Sequence, residues 1–105
     1  MTENDTKIAK ELKERLLKVA QLVDFRIFGS RARGDADEYS DMDVFIEVEI
    51  LNKQLKDKIR HIAWEVGFDN LIHVSPLIFT RNEIENSPMR SSPIVKNVNE
   101  EGIKI

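Results

Sequence analysis

The chain has no cysteine. That excludes a disulfide framework, a thiolate metal site and a cysteine nucleophile together. Glycine and proline are scarce, four and three in 105 residues, so low-complexity and collagen-like classes fall away. No apolar run approaches the ~20 residues of a membrane helix, and no membrane association is expected. Bulk positive charge is missing as well. The formal net charge is -3, which argues against direct nucleic-acid binding through a basic surface. The start, Met1-Thr2-Glu3-Asn4-Asp5, lacks the basic, apolar and cleavage regions of a signal peptide, so the expected location is the cytoplasm. What remains is 41% hydrophobic and 33% charged, the composition of a globular chain whose length suits one domain over residues 1–105.

Apolar periodicity orders that domain. Ile8, Leu12, Leu16, Val19 or Ala20, and Val23 recur at three and four, predicting an amphipathic helix over 5–23 capped by Asp5 or Thr6. Asp24 to Phe28 alternates and reads as a short strand ended by Gly29. Residues 30–40 are polar and read as a loop that can hold a turn of helix. Asp41 to Ile50 is a second strand, with Val44, Ile46 and Val48 on one face and Asp41, Asp43, Phe45 and Glu47 on the other. Asn52 caps a helix over 53–66 whose buried stripe is Leu55, Ile59, Ile62, Ala63 and Val66, with Gly67 as its left-handed stop. Leu71 to Phe79 is apolar enough for a central strand. Thr80 with Glu83 makes a capping box, and Ser92-Pro93 opens a last helix closed by Gly102. The expected fold class is α+β, a small three-stranded mixed sheet with helices packed on one face and the other face open for a site. The last segment carries Ile94, Val95, Val98, Ile103 and Ile105, expected to serve the core more than an interface.

The chemistry concentrates between Phe28 and Asp43. A Gly29-Ser30 pair leaves a strand, so backbone N–H groups can approach a phosphate closely. Arg31 and Arg33 follow and add positive charge to the same cradle. Asp41 and Asp43 open the next strand on one face, ~6–7 Å apart along it. Two carboxylates held that close repel unless a cation lies between them. Mg²⁺ suits them, since it takes one or two carboxylates together with substrate phosphates. A phosphate cradle beside paired carboxylates reads as nucleoside-triphosphate chemistry.

Near matches fail on chemistry. Gly29 to Gly34 has P-loop spacing, but Asp35-Ala36 stands where Lys-Ser/Thr is needed. Asp35, Asp37 and Asp41 imitate a calcium loop that lacks its sixth-position glycine and its twelfth-position glutamate. Asp35, Asp37 and Glu38 otherwise read as a solvated face, and His61 as structural. Ser30 has no nucleophile-elbow sequence around it.

The run Phe-Gly-Ser-Arg-Ala-Arg-Gly-Asp, then Ser-Asp-Met-Asp-Val-Phe-Ile, resembles the signature of the minimal nucleotidyltransferases of the DNA polymerase β superfamily. The likeness extends more loosely to Ser92-Pro93 and Glu101-Gly102. The resemblance implies transfer of a nucleoside monophosphate from an NTP, with AMP from ATP as the expected case and pyrophosphate released. It implies Gly29 and Ser30 on the β and γ phosphates, and Asp41 and Asp43 as catalytic ligands of two Mg²⁺ ions. It also implies a partner: short members of this group are typically associated with a HEPN-domain protein, often as the antitoxin that attaches AMP to a tyrosine of the toxin. Oligomer formation is compatible with that expectation.

One departure stands out. The family's third carboxylate belongs on the strand facing Asp41 and Asp43, and here Leu71 to Ile78 holds no acid; His73 or Ser75 occupies its place. Glu47 lies ~13 Å beyond Asp43, too far to share an ion. Asp69 substitutes only if its loop folds back. The alternative expectation is therefore a catalytically weak or inactive nucleotide-binding module that neutralises a HEPN partner by contact.

Overall fold

The computed structural model describes all residues from Met1 to Ile105. Helix α1 runs Glu3–Leu17, β1 Leu22–Phe28, α2 Gly29–Arg33, β2 Met42–Val48 and α3 Lys53–Asp69. They are followed by β3 Val74–Thr80, α4 Arg81–Asn86, a 3₁₀ turn at Pro88–Ser91, α5 Pro93–Glu101 and β4 Ile103–Lys104. The sheet is mixed, in the order β3-β2-β1-β4. The β1–β2 pair is antiparallel, and β2–β3 is parallel, as a crossover through α3 requires. The α+β mixed sheet matches the sequence expectation, with one strand more than expected: Ile103-Lys104 pairs antiparallel with Arg26-Ile27.

The alternation of β2 divides the sheet. Ile46 and Val44, with Phe25 and Ile27 of β1 and Val74 and Ile78 of β3, face α1 and α3 and form the main core. Ile8, Leu12 and Leu16 of α1 and Ile59, Ala63 and Val66 of α3 are its other half, the stripes that periodicity predicts. The second face carries Asp43, Phe45 and Glu47. Helix α5 contacts β1 and α2. Its Val95 and Val98 are buried outside the main core, as is Phe45, so the C-terminal segment shields part of this second face.

Several boundaries differ from expectation for local reasons. The first helix starts earlier, on a Thr2 cap in a capping box with Asp5. It stops at Leu17, and Leu22-Val23 belong to β1, where the register shifts between Leu22 and Asp24. Gly67 does not end α3: it is buried in the helix because a Cβ there would come within 2.7 Å of the Ile72 carbonyl oxygen. The helix continues to Asp69, and the left-handed turn falls on Leu71, at φ 58°. The third strand starts at Val74 rather than Leu71, and it is an edge strand, which suits Pro76 and its missing N–H. The caps at Asn52, Thr80 and Ser92 stand as predicted.

Candidate functional site

The site grows from the corner where β1 turns into α2. Phe28 is extended and Gly29 takes φ +74°, a left-handed conformation that glycine adopts without a side-chain penalty. The reason for glycine is also steric: a Cβ there would collide with the Asp43 Oδ2 oxygen. The Asp43 carboxylate therefore lies directly against the Gly29-Ser30 turn. Phe28 supplies no side-chain acceptor to the first N–H groups of α2, so those donors carry no side-chain cap. The β1–β2 register, Phe28 opposite Asp43, fixes this approach.

Asp41 lies just before β2, about half exposed, with Oδ1 3.3 Å from the His73 Nδ1 atom. Burial first, and the Asp41 charge second, push the Asp43 carboxyl above the ordinary aspartate range, while Arg33 and His73 pull it back. The two carboxylates thus sense each other, which is what the two-residue spacing predicts. The parallel register sets Ser75 beside Asp43. His73 and Ser75 accordingly flank the two aspartates from the β3 side, and no carboxylate joins them there. Asp69, at the end of α3, does not complete a set either: no group of three metal-ligating side chains converges anywhere in the chain.

The two arginines part company. Arg33 is largely exposed, is held by Asp35 and Glu101 at 3.2 Å, and is close enough for its charge to reach Asp43. Arg31 was expected at the same cradle, but its guanidinium turns inward. It is 7% exposed, bonds Asp5 Oδ1 at 2.7 Å, and donates to the Ser40 carbonyl at 2.7 and 2.9 Å. It ties the loop before Asp41 to the start of α1. Glu47 is buried four residues along the same face, and His61 stands at the surface, stacked on Trp64.

One feature of this corner escaped the sequence reading. A groove of about 570 Å³ opens beside His73, lined by Trp64 and Phe68 of α3 and by Tyr39 and Leu71. The available signal was that Trp64 and Phe68 fall off the buried stripe of α3.

These residues make a corner in which the Asp43 carboxylate lies against an uncapped glycine–serine turn, with Asp41 near enough for its charge to act on Asp43. The chain belongs to the nucleotidyltransferase domain family, whose model matches residues 6–105. It is 41% identical over 68 residues to "Putative protein adenylyltransferase MJ0141" of Methanocaldococcus jannaschii, covering 57% of this chain and 69% of that protein. Its fold is similar to a solved structure described as "Structure of putative minimal nucleotidyltransferase", with a TM-score of 0.68 and 21% identity over 98% of this chain and 94% of the other. It is also similar to a chain of "Crystal structure of the toxin-antitoxin with AMP-PNP", with a TM-score of 0.57 and 19% identity over 90% of this chain and 70% of that one. No helix is long and apolar enough to cross a membrane.

Proposed function

We propose that this chain moves AMP from ATP onto a hydroxyl of a partner protein, with Mg²⁺ as cofactor. The observation that carries the reading is the Asp43 carboxylate set directly against the Gly29-Ser30 turn. Triphosphate oxygens at the turn and a divalent ion at Asp41 and Asp43 then share one corner. The acceptor oxygen forms a bond to the α-phosphorus, the bond from that phosphorus to the bridging oxygen of the β-phosphate breaks, and pyrophosphate leaves. The acceptor proton is lost to solvent or a nearby base. A Mg²⁺ ion held by Asp41 and Asp43 would supply positive charge against the phosphate oxygens.

The donor set fits such an ion. Asp41 and Asp43 are hard oxygen donors, and the charge of one raises the pKa of the other, a repulsion that a divalent cation relieves. Gly29 and Ser30 hold the β and γ phosphates through the turn. Arg33 adds positive charge from the rim, and Arg31 acts by holding the loop in place. The partner is proposed to be a HEPN-domain protein for which this chain serves as antitoxin. The relative named as a protein adenylyltransferase and the likeness to a toxin–antitoxin chain support that direction.

The experiment is incubation with α-labelled ATP, Mg²⁺ and the HEPN-domain protein. Label on the partner that disappears in Asp41→Asn and Asp43→Asn supports transfer. A second reading rests on Ser75 and His73 standing where a third carboxylate belongs. On that reading the chain binds the nucleotide weakly or not at all and neutralises its partner by contact. A tight complex without label, indifferent to both substitutions, would establish it.

A further inference from the structure

We infer that the aromatic groove beside His73 is the docking site for the acceptor polypeptide, and that it selects an apolar segment flanked by carboxylates. The inference rests on the transfer reading only for the word acceptor; the groove and its charge stand by themselves.

Exposed aromatic surface is concentrated here. Trp64 is 58% exposed and stacks on the exposed Phe68, with ring centroids 5.3 Å apart. Tyr39 faces them from the loop before β2. Aromatic side chains already held by stacking lose little freedom on binding and are the usual anchors of interfaces. The fourth contributor, Leu71, is 90% exposed at φ 58°. A left-handed leucine carries backbone strain, and an exposed one recovers nothing from burial. The turn is pinned by the Ile72 N–H donating to the Gly67 carbonyl at 2.9 Å, so the strained leucine is presented in a fixed place.

Charge identifies the occupant. Lys56, Arg60, Trp64 and Phe68 recur every four residues along α3 and form one ridge. Neither Lys56 nor Arg60 has an ion-pair partner, in a chain whose net charge is -3. The ridge is therefore basic at one end and aromatic at the other; of its two cations Arg60 lines the groove and Lys56 lies one turn beyond it, and Glu38 is the one carboxylate in the lining. Its complement is a segment with carboxylates beside an apolar cluster.

Position identifies the purpose. The groove reaches the carboxylates through His73, which both lines it and contacts Asp41. The glycine–serine turn lies on the β1 side of Asp43, and the groove lies on the β3 side of Asp41. A triphosphate entering from one side and an acceptor from the other is the disposition that an in-line displacement needs.

Trp64 is the sole tryptophan, so its emission reports the groove directly. The test is a titration of the full chain, without ATP, using a tryptophan-free peptide of about fifteen residues, long enough for four turns of helix. The peptide carries Leu, Phe and Tyr at helical spacing with Glu flanking them; its control has Lys for each Glu. The expected result is a saturable blue shift with the acidic peptide, at least about tenfold tighter than with the control. Arg60→Glu should invert that preference. Leu71→Gly, which removes the strain and leaves the fold unburdened, should weaken binding several-fold with an unchanged circular dichroism spectrum. An equal response to both peptides, no response to either, a shift produced by ATP alone, or a concentration-dependent shift of the free chain accompanied by a dimer mass would each overturn the inference. Label transfer to the partner is a separate measurement, so a failed titration leaves the transfer reading untouched, and failed labelling leaves the groove.

Discussion

Asp43 and Glu47 stand on the same face of β2, four residues apart, and burial pushes both carboxyls above their ordinary ranges. Their surroundings then diverge. Asp43 faces a glycine–serine turn whose N–H donors have no side-chain cap, with Asp41 beside it and Arg33 within electrostatic reach. Glu47 is 7% exposed, opposite Asp24 across the β1–β2 pair, with Glu85 of α4 near and Arg26 and Arg81 offsetting part of the repulsion. Arg26 is itself bonded to Asp24 at 2.9 Å, and Arg81 to Glu49 at 3.0 Å. The alternation of a strand sets the direction of a carboxylate; what stands in front of it decides whether it becomes a site. At Asp43 the charge is left accessible to a ligand, and at Glu47 it is enclosed by protein.

The largest expected effect separates the two acids by activity. Asp43→Asn should reduce labelling of the partner by about a hundredfold or more, since a carboxylate is lost from the proposed ion and phosphate corner. Glu47→Gln should leave labelling within about threefold. Equal losses from both would break the comparison, because the enclosed acid would then also belong to the reaction.

Arg31 and Arg33 sharpen the same contrast by stability. Arg31→Ala leaves Asp5 buried without its counter-charge, and a broken buried pair costs about 3–5 kcal/mol. Urea denaturation followed by circular dichroism should show it. Arg33→Ala removes an exposed cation, so the unfolding midpoint should hold while binding of ATP–Mg²⁺ weakens. Gly29→Ala comes next. It places a Cβ against Asp43 in a left-handed conformation, and should cost about 1–3 kcal/mol in the same denaturation experiment while displacing the carboxylate.

Where a residue's role was set by neighbours along the chain, the sequence was enough to place it. The stripe from Leu55 to Val66 and the caps at Asn52, Thr80 and Ser92 are such cases. Roles set by a distant element were not legible. Gly67 looks like a stop signal until β3 is seen to require its missing Cβ. Leu16, Ala20 and Val23 continue a helical period across a real boundary, because apolar spacing is indifferent to whether the last of them pairs in a sheet. Arg31 and Arg33 have the same local setting, and partners further off separate them: Asp5, 26 residues earlier, and the Ser40 carbonyl hold Arg31 inward. The β4 strand is two residues long and exists through its pairing with Arg26 and Ile27.

The smallest expected effect lies in the pH dependence of stability, and it follows from the enclosed acid. The Glu47 carboxyl is raised above the ordinary glutamate value of 4.5, by burial first and then by Asp24 and Glu85. The folded state therefore holds the proton more tightly than the unfolded chain. The stabilisation is complete below pH 4.5, where both states are protonated, and is lost as pH rises through the folded value. At neutral pH the folded chain carries a charge that its surroundings disfavour. Glu47→Gln removes that charge at a nearly constant volume, so its melting temperature at pH 7 should exceed that of the parent by a few degrees. The advantage should shrink as pH falls toward 4.5, where parent and variant are both neutral at this position. Melting curves of the two proteins between pH 4.5 and pH 7 measure it. A difference independent of pH would mean that Arg26 and Arg81 compensate the charge in full, and Glu47 would then be an ion-paired residue rather than an enclosed one.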